Sequence, residues 1–332
     1  MDIHAATLTL DSHIDIRWPE PPDPLVEGPM RVDFPKMQRG GLRAAVFIAY
    51  VGQGKRDEAG HAAAAERVEA MLRHIRARAD GQARRFCTTP DELEAAHAAG
   101  ALAVLSAVEN GYAMGQDLGA PARWRALGAC YLTLTHDGHN DLADSARPQA
   151  RLGNAVVEHG GLSALGRAAI GALNAAGMLV DVSHVAKSGM LQAAELSRSP
   201  IVATHTVCRA LCDHPRGIDD EQLDALKAVG GLAQITAVPG FLKKVPDGQP
   251  NPASVEDMVD HVDHAVRRIG LEHVGLSSDF DGGGAVEGWQ NPAETANLTA
   301  ALVRRGYGAR EIGLLWSGNF LRIWRRAQAI AG

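Results

Sequence analysis

Cysteine is scarce in this chain: four residues, Cys87, Cys130, Cys208 and Cys212, at irregular spacing. That pattern excludes a disulfide scaffold and fits a reducing compartment. Cys208 and Cys212 have no second pair to complete a thiolate metal site, so they read as ordinary buried thiols. Lysine is rare too, with six residues at Lys36, Lys55, Lys187, Lys227, Lys243 and Lys244. Positive charge is not in excess: 33 Lys and Arg face 39 Asp and Glu, a net charge of −6. A nucleic-acid partner or an anionic membrane surface is therefore not expected. No apolar run of about 18 residues occurs, which excludes a bilayer-spanning helix. Met1-Asp2-Ile3-His4 offers neither a basic nor an apolar leader region, so the expected location is the cytoplasm. No Gly-x-Gly-x-x-Gly follows the first strand-like run, and there is no internal repeat, linker or low-complexity tract.

What is present is an ordinary globular composition: 332 residues, 46% hydrophobic and 22% charged. Short apolar runs rich in Val, Ile, Leu and Thr alternate with alanine-rich helical stretches. The strand-like runs are Ala6–Leu10, Leu42–Tyr50, Ala101–Val108, Cys130–Thr135, Met178–Ser183, Ile201–Thr204, Leu232–Val238 and His273–Ser278. Helical patterns cover His61–Ala79, Pro121–Leu127, Ser163–Ala176, Lys187–Leu196, Asp220–Ala228 and Ser254–Ile269. Thr89-Pro90-Asp91-Glu92 and Ser254-Val255-Glu256-Asp257 are helix starts with a capping residue and early carboxylates. From about Asn291 the chain reads as all helical, with breaks near Gly306 and Gly318. About eight strands alternating with helices is the count of a (β/α)8 TIM barrel, here a single domain over residues 1–332; a doubly wound open sheet is the runner-up. Pro19–Pro35 and Phe241–Pro252 are long loops of the kind that shape a mouth or lid.

The chemistry-bearing residues fall at the ends of the apolar runs. His13 and Asp15 form a His-x-Asp pair, and residues two apart on an extended chain point the same way. Glu109, His136, His184, His205 and Asp279 each lie at or near the C-terminal end of a later run. In a barrel those ends converge on the face where active sites are built. Such a set repels itself unless cations sit within it, which argues for one or, better, two divalent metals. Asp137-Gly138-His139-Asn140-Asp141 repeats the His-x-Asp spacing inside a Gly/Asn/Asp turn, where alternation no longer sets direction, and is assigned to the loop. Arg216, in His214-Pro215-Arg216-Gly217, is suited to bidentate binding of a substrate carboxylate. Asp260-His261 and Asp263-His264 read as structural pairs on a helix.

Taken together, the chain resembles the membrane (renal) dipeptidase family of zinc peptidases over nearly its whole length. The motifs that carry the likeness are Asp11-Ser12-His13-Ile14-Asp15, Ala107-Val108-Glu109-Asn110-Gly111, Tyr131-Leu132-Thr133-Leu134-Thr135-His136, Asp181-Val182-Ser183-His184, Thr204-His205-Thr206, His214-Pro215-Arg216 and Ser278-Asp279-Phe280-Asp281-Gly282. The resemblance implies a (β/α)8 barrel with two Zn2+ ions bridged by Glu109. His13 and Asp15 would hold one ion, and His184 and His205 the other. It makes His136 and Arg216 substrate-binding, and Asp279 the acid/base, with His136 also assisting catalysis. Related binuclear barrels often bridge through a carboxylated lysine, but no lysine here ends a strand, which leaves Glu109 for that part.

The implied activity is hydrolysis of a dipeptide, L-Xaa-D-Xaa substrates included, by a water activated between the metals. The expected partner is this small substrate alone, without nucleic acid or membrane; a homodimer is compatible with it. Departures from the family pattern are Ser12 and Ile14 in the first motif, Arg17 beyond it, Gly217 after Arg216, and a loop Val238-Pro239-Gly240-Phe241 without a tyrosine. They are expected on the pocket wall, touching specificity. They motivate a rival reading, a metal-dependent amidase, lactam hydrolase or tautomerase acting on another carboxylated small molecule. An inactive metal-binding protein is a third, which loss of a ligand would mark; none is lost.

Overall fold

The computed structural model describes residues 2–16, 23–246 and 248–331 of the chain. Its frame is a parallel sheet of β1 (Leu10–Asp15), β2 (Ala44–Tyr50), β3 (Arg84–Phe86), β4 (Leu102–Glu109), β5 (Ala129–Thr133), β6 (Leu179–Asp181), β7 (Val202–Thr206), β8 (Leu232–Ile235) and β9 (Val274–Leu276). Eight of them run in the order β1-β2-β4-β5-β6-β7-β8-β9, while β3 pairs only with the first residues of β4. The ring is drawn together where β1 meets the chain just after β9. Asp15 N–H donates to Phe280 O (3.0 Å), Asp279 N–H to His13 O (3.1 Å), and Ser278 N–H to the Asp11 carboxylate (3.0 Å). With helices between successive strands this is a (β/α)8 barrel.

Side-chain alternation divides the core in two. Ala44, Val46 and Ile48 of β2 and Ala103, Leu105 and Ala107 of β4 pack inward with Leu10, Leu179, Val202 and Leu232. Ala45, Phe47 and Ala49 pack outward beneath the helices. Phe320, Ile323 and Trp324 of the last helix, Asn319–Ala329, join the inner cluster and plug the barrel floor. One further step along the inward parity come Tyr50 and Glu109, paired across β2 and β4 at the opposite end.

Several element bounds differ from the sequence expectation. Residues Ile3–Ala6 form a short helix capped by the Asp2 carboxylate, so the first strand begins at Leu10 and not at Ala6. The loop expected at Pro19–Pro35 ends in a helix, Phe34–Gly40, capped by Asp33; its residues 17–22, with Arg17, lie outside the described residues. The break near Gly306 is present, between Thr295–Arg304 and Ala309–Gly313. Gly318 makes none: the helix passes through a wider turn, Leu314–Gly318, straight into Asn319–Ala329. Asp260 and Asp263 pair with Arg305 (2.7 and 2.5 Å) and His264 with Asp220 (2.9 Å), so their role is structural as expected, but their partners lie on other elements and not on the same helix.

Candidate active site

Two bulges aim the first ligand candidates. Leu10 packs inward, so plain alternation along β1 would send Ser12 and Ile14 inward as well. Instead the pairing with β2 slips by one residue between Asp11 and Ile14. Ile14 joins the outer core, and His13 and Asp15 turn into the barrel mouth. In β7 the pairing with β8 slips likewise between Ala203 and Thr206, which turns His205 inward. Bulges beside active sites commonly re-aim side chains in this way.

Glu109 is the hub. Its Oε2 lies 3.5 Å from His13 Nε2, and its Oε1 lies 3.2 Å from His184 Nε2 and 3.5 Å from His205 Nε2. All four side chains are buried. The far nitrogens of His13 and His205 are occupied by fixed partners. Tyr131 OH donates to Ser12 O (2.8 Å), so it accepts from His13 Nδ1 (3.0 Å). Thr204 Oγ1 donates to Asp181 Oδ2 (2.7 Å), so it accepts from His205 Nδ1 (3.0 Å). Both rings are thereby committed through Nδ1–H, which leaves Nε2, the atom facing Glu109, as the one that can ligate a cation. His184 Nδ1 faces Asp137 Oδ1 at 3.6 Å, and Arg147 backs Asp137 at 3.2 Å.

The electrostatics ask for positive charge. Burial pushes Asp15 well above the usual carboxylate range, and Glu109 adds to it. Asp279 is raised to about 6, first by burial and then by Glu109 against the opposing His13. Burial disfavours a His13 cation, yet Glu109, Asp15 and Asp279 push the ring up to about 10. Three donor groups have atoms mutually within 4.8 Å: His13, Glu109 and His205; Glu109, His136 and His184; His13, Asp15 and Asp279. Imidazoles and carboxylates arranged this way fit divalent cations of the zinc type, with Glu109 and His13 shared between groups. His136, expected to bind substrate and assist catalysis, also has a donor atom within 4.8 Å of those of Glu109 and His184.

Arg216 is 2% exposed and anchored by one bond, Nη2–H to His205 O at 3.2 Å. Its Nε and Nη1 have no hydrogen-bond partner among the described residues, and burial brings the guanidinium down to about 10. Phe241, from the loop that lacks a tyrosine, lies 5.5 Å from it, ring face towards the charge. His136 is pushed down to about 3 by burial and by His184, and Tyr50 OH lies 3.4 Å from its Nδ1. These residues, with Asp137, Arg147 and Asp281, line one cavity of about 470 Å³.

Asp279 and Asp281 adopt left-handed backbone (φ 61° and 63°), rare for residues with a side chain. The N–H groups of Gly282, Gly283 and Gly284 all converge on Asp279 O. Asp281 accepts from the N–H groups of Arg31 and Val32, tying the first long loop to the site. A Cβ on Gly282 would lie 1.9 Å from Asp15 Oδ2 and 2.2 Å from Asp279 Oδ1, so only glycine fits there.

All seven strand-end residues meet in this cavity or its wall. The second His-x-Asp pair stays out of it. His139 Nδ1 accepts from Ser145 N–H (2.9 Å) and its Nε2 bonds Ala155 O (3.0 Å), while Asp141 pairs with His61 (3.0 Å). The expected placing of Ser12 and Ile14 on the pocket wall is corrected. Ser12 donates to Thr204 O across the barrel and Ile14 is core. Gly217 lines a different cavity. Sequence reasoning missed Tyr50, Asp137, Arg147 and Asp281, which belong to loops or carry no ligand spacing; the inward parity of Tyr50 with Glu109 was the one available signal. The four cysteines are buried and unpaired.

A family model described as membrane dipeptidase (peptidase family M19) matches residues 1–332. Dipeptidase tcpJ of Claviceps purpurea is 34% identical over 251 residues, which cover 73% of this chain and 57% of that protein. The chain thus spans little more than half the length of such curated relatives. Among solved structures, the probable dipeptidase PvdM from Pseudomonas aeruginosa superposes with a TM-score of 0.92 at 28% identity, covering 99% of this chain and 97% of that one. Dipeptidase AC, a metallo peptidase, superposes with a TM-score of 0.84 at 25% identity, covering 97% and 99%.

Proposed function

The chain belongs to the membrane dipeptidase family, peptidase family M19, and on that premise we propose that it is a metal-dependent dipeptidase. The observation that carries the reading is the convergence of His13, Asp15, His184 and His205 on Glu109, with His13 and His205 held by Tyr131 and Thr204 as metal-ready tautomers. In this reading His13 and Asp15 would hold one zinc, His184 and His205 would hold the other, and Glu109 would be the carboxylate shared by both. Two such cations supply hydroxide near neutral pH and a Lewis acid for the scissile carbonyl.

The chain's own residues do the rest. Arg216 turns its two unpartnered N–H groups to the C-terminal carboxylate of the substrate, which restricts the site to short peptides. His136, neutral because it is buried, accepts a hydrogen bond from the Tyr50 hydroxyl at Nδ1, which leaves its proton on Nε2 to donate to the developing oxyanion. Asp279, raised to about 6, takes the proton of the attacking water and passes it to the leaving amine. L-Xaa-D-Xaa dipeptides are within the proposal. The four buried, unpaired thiols support a reducing, cytoplasmic location, and the net charge of −6 supports a partner list without nucleic acid. No helix among the described residues is long and apolar enough to cross a membrane. A homodimer is compatible with this reading and plays no part in it. Residues 1–332 are proposed to act as one domain.

The test is a panel of L,L- and L,D-dipeptides assayed with metal analysis on the same sample. Turnover tied to metal content supports the reading. A metal-loaded protein that cleaves none of them would favour the amidase, lactam hydrolase or tautomerase alternative.

A further inference from the structure

A second cavity of about 340 Å³ is lined by continuations of two chain segments that also line the active cavity. The chain leaving β2 gives Tyr50 to the active cavity and then Gln53, Lys55 and Arg56 to the annex. The long loop after β5 gives His136, Asp137 and Arg147 to the active cavity and then Arg151 and Asn154 to the annex. Three cationic side chains line the annex, and no carboxylate does among the described residues. Arg56 is held by Glu158 at 2.6 Å, but no described carboxylate pairs with Lys55 or Arg151. His139 on its wall is satisfied at both nitrogens and adds no ligand. Gln53 Oε1 is buried without a partner; turned over, the carboxamide presents its NH2 group. The field of Arg151 reaches the active cavity: burial, Glu109, Asp15 and Asp137 push the Tyr50 hydroxyl up to about 12, and Arg151 opposes them.

We propose that this annex is a second anion subsite, and that the preferred substrates are dipeptides carrying an additional carboxylate on the N-terminal residue. The inference rests on the dipeptidase reading. Arg216 follows β7, whereas the annex is built from the loops after β2 and β5, the two neighbours of β4 that carry Glu109 between them. A substrate whose C-terminal carboxylate sits at Arg216 and whose peptide bond lies over Glu109 therefore extends its N-terminal side towards Lys55 and Arg151. A cationic, carboxylate-free recess at a cavity mouth also raises the local concentration of anionic substrates.

The experiment compares Ala-Ala, Glu-Ala and Ala-Glu on the metal-loaded wild type and on the Lys55→Gln/Arg151→Gln double variant. Neither position belongs to the catalytic machinery. The wild type is expected to favour Glu-Ala in kcat/KM. The double variant should lose about fivefold or more on Glu-Ala, with Ala-Ala unchanged. Added salt should erode the wild-type preference in the same direction. Equal treatment of Ala-Ala and Glu-Ala by the wild type, a preference for Ala-Glu, or an equal loss on all three in the variant overturns the inference. Turnover of no dipeptide overturns the dipeptidase reading itself, and the inference with it.

Discussion

An imidazole binds a metal well when its other nitrogen is already committed, and Tyr131 and Thr204 supply that commitment for His13 and His205. Tyr131→Phe should therefore weaken metal retention about 10- to 100-fold in a chelator competition, with the fold intact by circular dichroism. Unchanged retention would remove Tyr131 from this part. Asp279→Asn should keep its metal yet lose about 10²- to 10⁴-fold in kcat, the range for a lost acid/base; full turnover in that variant would transfer the proton to another group. At this scale the sequence was most informative about which residues gather at the candidate site. Each of His13, Glu109, His184, His205 and Asp279 ends an apolar run, and those ends share one face of a barrel. Tyr131 and Thr204 were not legible, because each sits inside a strand among other buried residues and its partner is distant in sequence or determined by rotamer. Asp137 was legible only as part of a turn.

At the scale of elements, the slips in β1 and β7 decide which side chains face the barrel mouth. Neither is marked by glycine or proline, so alternation counted from Leu10 points Ser12 and Ile14 the wrong way, and only the pairing with β2 and β8 corrects it. The helix at Ile3–Ala6 escaped for a similar reason: four residues carry too short a period to distinguish it from a strand. Longer amphipathic segments left no such ambiguity, and Lys187–Leu196 and Asp220–Ala228 keep their expected bounds. The turn after β9 offers a sharp test. Gly282→Ala places a methyl between the Asp15 and Asp279 carboxylates. It should cut activity by orders of magnitude while the unfolding midpoint moves little, since the fault lies in the site. Wild-type rates from Gly282→Ala would show that the Asp15–Asp279 approach is not needed.

For the whole molecule, the floor of the barrel and its mouth are distinct regions. The last helix fills the floor with Phe320, Ile323 and Trp324, all essentially inaccessible, far along the strands from Glu109. Trp324→Ala should cost about 3–5 kcal/mol of stability and leave kcat/KM near wild type below the unfolding transition. A single cooperative transition in that experiment is what one domain over 1–332 predicts; two separate transitions would divide the C-terminal helices from the barrel. The most direct measurement of the central claim is a metal titration. Protein stripped with a chelator is titrated with zinc while hydrolysis of a dipeptide is followed. Activity should be absent at the start and saturate at about two equivalents per chain, as two cations bridged by Glu109 require. Full activity in the stripped protein, or no hydrolysis at any metal level, would contradict it.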